Sequence, residues 1–375
     1  MSYPTKKLGE VVDVVMGQSP PSSSYNECGE GLPFFQGKAE FGEIYPTPVK
    51  YCSSPSRIAE ANDVLMSVRA PVGNINLAKE KSCVGRGLGA LRTKKNIMNQ
   101  MFLFYFMKKN ENNWSKLSTG STFSAIKGSN LRNFEIPVPP LAIQKQIVER
   151  LDKIAEAQKL NDGLIQKTDE LFQSLLHKEL NPAGRDWEEN KFINCIEKNP
   201  LKIKGIPREK YQSVGKFPII DQSDKFIVGY IDNEDAVYKI DSPVIIFGDH
   251  TRIFKYVDFN FAIGADGTQI IIPNAKFFPK FFYFLMLNLK INNLGYSRHF
   301  KLLKIKKLII PPLKTQQQIV AKLSAVQDYK IKLLAQRTKL KELFESVLHK
   351  SMSGEYKKSK FTPSPNFGVG AQRPQ

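Results

Sequence analysis

One block of this sequence occurs twice, and the duplication limits what the chain can fold into. Residues 139–178 align with residues 311–350 at a constant offset of 172, without a gap, and 16 of the 40 positions are identical. Both copies begin with Pro-Pro-Leu, continue with Gln-x-Gln-Ile-Val and end with Leu-His-Lys. Solenoid repeats have periods of about 20–50 residues. A period of 172 therefore indicates a duplicated unit that is large enough to contain a whole domain.

The length and the charge of the chain predict several domains and an anionic partner. A chain of 375 residues is expected to form two or three domains. Its 55 Lys and Arg against 36 Asp and Glu give a net charge of +19. Nucleic acid is the leading candidate partner, because many distributed cations are needed to neutralise its phosphates. The alternative is a basic surface that serves only solubility. No membrane partner is expected, since no long basic amphipathic segment with an apolar anchor is present.

The cysteines and the apolar segments are typical of a reduced, cytoplasmic protein. No pair of cysteines has C-x-x-C or metal-finger spacing, so we expect free thiols and no metal site. Residues 1–8 lack the apolar core of a signal peptide. The most apolar stretch, residues 277–289, is too short to span a bilayer. The four cysteines are Cys28, Cys52, Cys83 and Cys195.

Each copy of the repeated block predicts a long helix that begins after its Pro-Pro pair. A residue before proline is held in extended geometry, so we expect the helices over residues 141–179 and 313–352. Each would be about 57 Å long, which exceeds the ~34 Å of one DNA turn. Both carry apolar residues at intervals of seven, which predicts that they pack together as a coiled coil. The alternative is that each packs only on its own globular domain. The stripe of the second helix is Ile319, Val326, Leu333, Leu340 and Val347.

Three polar residues on these helices have structural interpretations. Asn161 lies at a stripe position, where it either fixes the register of the pair or marks a bend beside Gly163. His177 and His349 lie at equivalent helix ends, where a cation suits the negative end of the helix dipole. We therefore expect neither histidine to be catalytic.

The remaining sequence forms two globular regions. Short β-rich runs occur at residues 11–16, 63–68, 244–247 and 269–272, and the aromatic runs 101–107 and 281–289 are typical of buried helices. We therefore expect an α+β protein with a mixed α/β domain in each half. The expected boundaries are 1–140 and 184–312 for the domains, 141–183 and 313–352 for the helical spacers, and 353–375 for a disordered tail.

Signatures of several enzyme classes do not occur in the sequence. There is no G-x-x-x-x-G-K-[ST] phosphate loop and no G-x-G-x-x-G after a strand. Known adenine methyltransferases hold a flipped base with [Asn/Asp]-Pro-Pro-[Tyr/Phe], whereas both Pro-Pro pairs here lack the polar and the aromatic member. Asp249 and Asp266 are conceivable nuclease metal ligands, although acidic turn residues are common in β-rich domains. We expect no catalytic residue, no metal and no cofactor in this chain.

The polar loops of the two globular regions are the candidate binding sites. Arginine can read guanine through two parallel hydrogen bonds, and glutamine or asparagine can read adenine. The alternative is that these residues are only turn residues with solvated tips. The candidates in the first region are Gln18, Ser22, Ser23, Ser24, Tyr25, Gln36, Lys38, Arg69 and Arg86. The candidates in the second region are Gln222, Lys225, His250, Thr251, Arg252 and Arg298.

Taken together, these motifs resemble those of the specificity subunit of type I restriction–modification systems. The first is the loop at 17–26 followed by Phe-Phe-Gln-Gly at 34–37. The second is Ser-Val-Arg-Ala-Pro-Val-Gly at 67–73 with Gly-Arg-Gly-Leu at 85–88. The third is the twice-occurring Pro-Pro-Leu-x-x-Gln-x-Gln-Ile-Val joint with its helix. The resemblance covers nearly the whole chain, and the family leads one to expect that the two globular regions differ in sequence.

The resemblance implies a function without catalysis in this chain. Each globular region would be a target recognition domain for one half of a bipartite DNA sequence. The two helices would form an antiparallel coiled coil that sets the length of the unread spacer and docks two methyltransferase subunits. Those subunits would bind S-adenosylmethionine and methylate adenine N6, and two restriction subunits that use ATP and Mg²⁺ would join in some complexes.

Two other functions remain open at this point. One is a single-chain DNA-binding nuclease with a fused recognition module, which would cleave DNA with a metal ion. The other is a coiled-coil scaffold whose charge is incidental and whose affinity for DNA would not fall steeply with salt.

Overall fold

Two compact units make up the chain, and each combines one globular region with parts of both long helices. The computed structural model describes residues 3–114, 125–198, 205–264, 267–295 and 297–353. Unit 1 comprises residues 1–160 and 337–375, and unit 2 comprises residues 161–336. The tail predicted for residues 353–375 lies outside the described residues from position 354 onward.

Unit 1 contains two sheets and a two-stranded ribbon. Its described strands are β1 (Thr5–Lys7), β2 (Val12–Met16), β3 (Tyr25–Asn26), β4 (Leu32–Phe35), β5 (Lys50–Cys52), β6 (Ile58–Ala59), β7 (Val64–Ser67), β8 (Ile75–Leu77), β9 (Ser82–Val84), β10 (Leu88–Thr93) and β11 (Glu135–Pro137). One sheet has the antiparallel order β2-β10-β7-β8. The other has the order β3-β5-β4-β9-β6, in which β4 and β9 are parallel. Strands β1 and β11 form the ribbon.

The core of unit 1 is closed by helices on one sheet. The short helices are α1 (Leu8–Val11), α2 (Gln100–Lys109), α3 (Glu111–Trp114) and α4 (Gly128–Asn133). Helix α2 has Phe102, Phe104 and Phe106 buried, and the side chain of Asn99 caps it by accepting from the backbone N of Phe102 at 3.0 Å. Strand β7 is buried along its whole length because both of its faces are covered. The start of the long helix α5 (Leu141–Glu179) joins the same core through Ile147.

Unit 2 repeats this topology with different side chains. Its described elements are β12 (Glu188–Lys191), β13 (Ile196–Glu197), β14 (Phe217–Ile220), β15 (Gly229–Ile231), β16 (Val237–Tyr238), β17 (Val244–Gly248), β18 (Phe254–Val257), β19 (Phe261–Ile263), β20 (Thr268–Pro273), α6 (Pro279–Asn288), α7 (Phe300–Lys304), β21 (Lys307–Ile310) and α8 (Leu313–Ser353). The order β13-β20-β17-β18 matches β2-β10-β7-β8. The order β15-β14-β19-β16 matches β5-β4-β9-β6, again with the two middle strands parallel. Strands β12 and β21 form the second ribbon.

The expected fold class and the expected elements are confirmed. The helices predicted over 141–179 and 313–352 are α5 and α8. The four β-rich runs are β2, β7, β17 and β20, and the two aromatic runs are α2 and α6. The chain therefore has two mixed α/β domains and two long helices that pack together.

Within unit 2, the two long helices run antiparallel. Asn161 on α5 donates from Nδ2 to the carbonyl oxygen of Leu333 on α8 at 3.1 Å. Further along α5, Glu179 pairs at 2.9 Å with Lys322, which lies earlier on α8. Asn161 is 3% exposed, so its side chain lies between the helices. This contact supports the interpretation of Asn161 as a residue that fixes helix register.

Candidate nucleic-acid interface

Three loops meet at the edge of the sheets in unit 1. The first follows β4 at Gln36, the second connects β7 to β8 at Arg69, and the third connects β9 to β10 at Arg86. Backbone hydrogen bonds hold them together: the N of Gly85 donates to Phe35 O at 2.8 Å, and the N of Val68 donates to Gly87 O at 2.9 Å. The loops converge because β4 and β9 are parallel and end at the same edge.

Four of the predicted site residues line one depression of about 230 Å³ formed by these loops. The side chains of Arg69 and Arg86 are exposed, as are those of Gln36 and Lys38. Together these four side chains provide three cationic groups and one amide, which suit phosphate oxygens and base edges. The lining also includes Ser19. The structure therefore brings Gln36, Lys38, Arg69 and Arg86 together, and their contact with DNA stays a prediction.

The close approach of the loops in unit 1 requires glycine at position 87. A Cβ atom at Gly87 would lie 2.1 Å from the carbonyl oxygen of Gln36, which no side chain tolerates. The Gly-Arg-Gly sequence thus allows the third loop to touch the first and leaves Arg86 at the tip.

The serine-rich loop before β3 divides into internal and outward side chains. Ser24 is 9% exposed and its hydroxyl donates to Pro21 O at 2.7 Å. The hydroxyl of Tyr25 donates to Pro20 O at 2.8 Å, and its ring lies 4.6 Å from that of Phe34. These two side chains hold the shape of the loop. Gln18, Ser22 and Ser23 are exposed, and a role of all five in binding DNA stays a prediction.

The same three loops meet in unit 2. They are the loop after β14 at Gln222, the β17–β18 connection at His250, and the β19–β20 connection at Gly267. The Gln222 side-chain oxygen accepts from the backbone N of His250 at 3.1 Å, and the hydroxyl of Thr251 donates to Gln222 O. A Cβ atom at Gly267 would lie 2.8 Å from Gln222 Nε2. The structure therefore brings Gln222, His250 and Thr251 together.

The other candidates of unit 2 lie around this cluster. Arg252 has a φ of 64° and donates from its guanidinium to Ile291 O at 3.2 Å, so part of its side chain is used within the domain. Lys225 is exposed at the end of the first loop, and Arg298 is exposed just before α7. Like the other candidates, these residues have no demonstrated contact with DNA.

Backbone hydrogen bonds establish which loops correspond. In unit 2, the N of Gly264 donates to Ile220 O at 2.9 Å, as Gly85 does to Phe35 in unit 1. The N of Asp249 donates to Gly267 O at 2.7 Å, as Val68 does to Gly87. The two domains thus present three equivalent loops on one scaffold, with different side chains at their tips.

Buried charges lie beneath the first loop of unit 2. Asp221 is 1% exposed, and its carboxylate accepts from the N and the hydroxyl of Ser223 at 2.8 and 2.6 Å. Lys255 on β18 is 4% exposed and donates to Asp221 O at 2.8 Å. Burial lowers the pKa of the Lys255 ammonium group, and the carboxylates of Asp221 and Asp224 act in the opposite direction.

The sequence interpretation missed Lys255 and its counterpart in unit 1, Asn76. Asn76 is fully buried on β8 and donates to Gly42 O at 2.9 Å. The available signal was a single polar residue inside a short apolar strand, Ile-Asn-Leu at 75–77 and Phe-Lys-Tyr-Val at 254–257. Such a residue usually needs a buried hydrogen-bond partner.

The described residues contain neither a metal cluster nor a membrane helix. No group of three or more His, Cys, Asp or Glu side chains among them is arranged to hold a metal ion. Asp249 is 2% exposed and accepts from the backbone N of Phe300 at 2.7 Å, while Asp266 lies outside the described residues. Over the same ranges, no helix is long and apolar enough to cross a bilayer.

Known proteins resemble this chain over part or most of its length. A Methanocaldococcus jannaschii protein provisionally named the MjaX type I restriction enzyme specificity subunit is 44% identical over 166 residues, which cover 44% of this chain and 39% of that relative. This chain therefore matches less than half of that protein's length. The MjaVIII type I restriction enzyme specificity subunit of the same organism is 22% identical over 389 residues, covering 92% of this chain and 90% of that protein.

A solved structure and a family model extend the likeness to the whole chain. The crystal structure of a type I restriction–modification S subunit from M. genitalium matches with a TM-score of 0.61 at 16% identity, over 94% of this chain and 96% of that one, which shows a shared fold. The model of the type I restriction modification DNA specificity domain matches residues 2–168 and again residues 186–343. The two matches together span most of the sequence, and the chain belongs to the family of type I restriction–modification specificity subunits.

Proposed function

We propose that this chain reads a bipartite DNA sequence, with one half-site bound by each domain and an unread spacer between them. The observation that carries the proposal is the pair of equivalent three-loop edges with different tips, Arg69 and Arg86 in one domain and Gln222 and His250 in the other. Equivalent scaffolds with different polar tips suit two half-sites of different sequence.

The proposal includes docking of two methyltransferase subunits on the repeated part of the chain. The joint and the helices keep 16 of 40 positions identical, whereas the loop tips differ. A repeated joint and helix suit two copies of one partner, and different tips suit different bases. The partners would bind S-adenosylmethionine and methylate adenine N6, and in some complexes two restriction subunits that use ATP and Mg²⁺ would join them. This chain would contribute recognition and no catalytic residue or cofactor.

The length of the unread spacer is proposed to depend on α5 and α8. These helices contain 39 and 41 residues, which correspond to about 58 and 62 Å. Removing one heptad from each helix at matched positions is expected to change the preferred spacer and to leave both half-sites unchanged. An unchanged spacer would refute this part of the proposal.

The proposal is tested by mapping methylated adenines in DNA from cells that express the chain with its methyltransferase partner. The expected result is a motif of two short half-sites separated by a fixed number of unread base pairs. Binding should also weaken by several log units per log unit of salt, because phosphate contacts release counterions. A single continuous motif, or Mg²⁺-dependent cleavage by the chain alone, would contradict the proposal.

A further inference from the structure

A buried polar side chain occupies the same position in two equivalent hairpins, β7–β8 of unit 1 and β17–β18 of unit 2. Asn76 on β8 pairs with Leu65, and Lys255 on β18 pairs with Ile246. Leu65 pairs with Ala90 on β10, and Ile246 pairs with Ile270 on β20. Each is the third residue pair between its two strands, counted from the loop that follows β7 or β17. Asn76 and Lys255 are therefore structurally equivalent.

Both side chains reach the loop that follows the first parallel strand. Asn76 donates from Nδ2 to Gly42 O at 2.9 Å, a short distance after Lys38. Lys255 donates from Nζ to the carbonyl oxygens of Asp221 and Lys225, which enclose Gln222. The chemistry differs, one amide against one ammonium group, but both side chains hold the loop that follows the equivalent strand, β4 or β14.

Burying these two polar side chains lowers the stability of the fold. The side-chain oxygen of Asn76 is buried with no hydrogen-bond partner, and burying such an acceptor is unfavourable. Lys255 places a charged group at 4% exposure, which is also unfavourable in the apolar interior of a sheet. An apolar residue would avoid both penalties but would also release the carbonyl oxygens that these side chains hold, so the polar groups point to a function of the loops.

We propose that Asn76 and Lys255 are equivalent positioning residues that hold the base-reading loops of their domains and so determine half-site discrimination. The inference rests on the proposed function, because it requires that the loops read DNA. Lys255 spans five residues of its loop, whereas Asn76 holds a single carbonyl. The two loops are therefore held to equivalent sheets by hydrogen bonds of different reach.

The test uses the full chain in complex with its methyltransferase subunits and the variants Asn76→Leu and Lys255→Met. Methylation rates are compared on the mapped site and on sites with one base changed in either half. A single mismatch costs roughly five- to hundredfold in discrimination. Asn76→Leu is expected to reduce discrimination at least about fivefold in the half-site of unit 1 only, and Lys255→Met in the half-site of unit 2 only.

Four measurements separate positioning from folding and from loss of charge. Asn76→Leu removes an unpaired buried acceptor, and the carbonyl that loses its donor belongs to Gly42, which is exposed to water, so the thermal midpoint should stay near that of the wild type. Lys255→Gln keeps a donor and should restore part of the discrimination lost in Lys255→Met. Lys239→Met, at a lysine whose side chain is 68% exposed, should leave discrimination unchanged. The salt dependence of binding should be the same in the Asn76 and Lys255 variants as in the wild type, because none of them removes an exposed cation.

The outcomes are distinct for the two proposals. Wild-type discrimination in folded Asn76→Leu, or equal losses in both half-sites, would overturn the positioning role. If Lys255→Met does not fold, Asn76→Leu and Lys255→Gln decide the matter. Failure of the proposed function looks different, since the wild-type complex would then show no preference at either half-site.

Discussion

Gln144 and Gln316, which lie 172 residues apart, make the same three hydrogen bonds. Each side-chain oxygen accepts from the backbone N of the residue before a buried helix, α2 or α6. The side-chain amide of Gln144 donates to Ile97 O and to Pro139 O. That of Gln316 donates to Lys276 O and to Pro311 O, which are the equivalent carbonyl groups. The distances are 2.7, 3.0 and 2.8 Å for Gln144 and 3.0, 2.8 and 2.9 Å for Gln316. This bonding explains why the joint is repeated with its glutamine.

Replacing either glutamine should destabilise its own unit. Both are fully buried, so Gln144→Leu leaves backbone groups without partners and should lower the free energy of unfolding by about 2–4 kcal/mol. The matched control is Gln146→Leu, on the same helix and also repeated but exposed, which should cost less than about 0.5 kcal/mol. Chemical denaturation measures both. Equal effects of the two variants would show that the buried hydrogen bonds are not the reason.

We expect Asn161 to fix the register of α5 and α8 and, at the same time, to lower the thermal midpoint of the chain. Its Nδ2 bonds to Leu333 O, while its Oδ1 is buried with no partner. Asn161→Leu should therefore raise the thermal midpoint, since it removes the unpaired acceptor and fills the apolar seam. Thr168→Val is the control, because the hydroxyl of Thr168 bonds only within its own helix, to Leu164 O at 2.7 Å. A lower midpoint in Asn161→Leu would mean that the hydrogen bond to α8 outweighs the buried oxygen.

Local patterns were sufficient to predict most of the elements. The helices α5 and α8 follow from the prolines before Leu141 and Leu313 and from the apolar residues every seven positions. Strand β17 follows from the uninterrupted run at 244–247, because a strand buried on both faces needs apolar side chains throughout. These signals depend on residues that lie close together in the sequence, so they can be recognised without knowledge of the tertiary contacts.

The candidate site required information that the sequence does not carry locally. Polarity and turn residues identified Gln36, Arg69 and Arg86 as candidates, but their convergence depends on the parallel pairing of β4 with β9 across a long stretch of chain. Asn76 and Lys255 could not be predicted as positioning residues for a related reason. A lone polar residue in a strand becomes informative only when the carbonyl oxygen that it meets is known.

The cysteines should differ sharply in reactivity. Burial raises the pKa of both the Cys83 and the Cys195 thiols to about 11, and Cys52 is fully buried, whereas Cys28 is exposed. The thiolate is the reactive form, so at pH 7.5 the Cys83 and Cys195 thiols remain protonated, and all three buried thiols are shielded from solvent. A thiol reagent should modify one cysteine rapidly in the native chain and four after denaturation. In Cys28→Ser the rapid phase should disappear. Rapid modification of a second thiol would contradict this packing of the buried cysteines.

Arg69 and Arg252 should affect different half-sites, and only one of them should also affect stability. Arg69 is exposed in the depression of unit 1. Arg69→Ala should therefore reduce the discrimination against wrong bases in one half-site by about 1–3 kcal/mol and leave the thermal midpoint unchanged. Arg252 bonds to Ile291 O, so Arg252→Ala should relax the other half-site and also lower the midpoint by a few degrees. Mapping of methylated sites and thermal unfolding measure the two effects.

The control for both arginine variants is Arg57→Ala, at an exposed arginine that does not line the depression of unit 1. It should change neither half-site, although it removes the same charge. If Arg69→Ala and Arg252→Ala each weakened both half-sites equally, the assignment of one domain to one half-site would fail. If Arg57→Ala relaxed a half-site as strongly as Arg69→Ala, the loss of net charge rather than a base contact would explain the effect, since phosphate attraction is shared by all cations near the DNA.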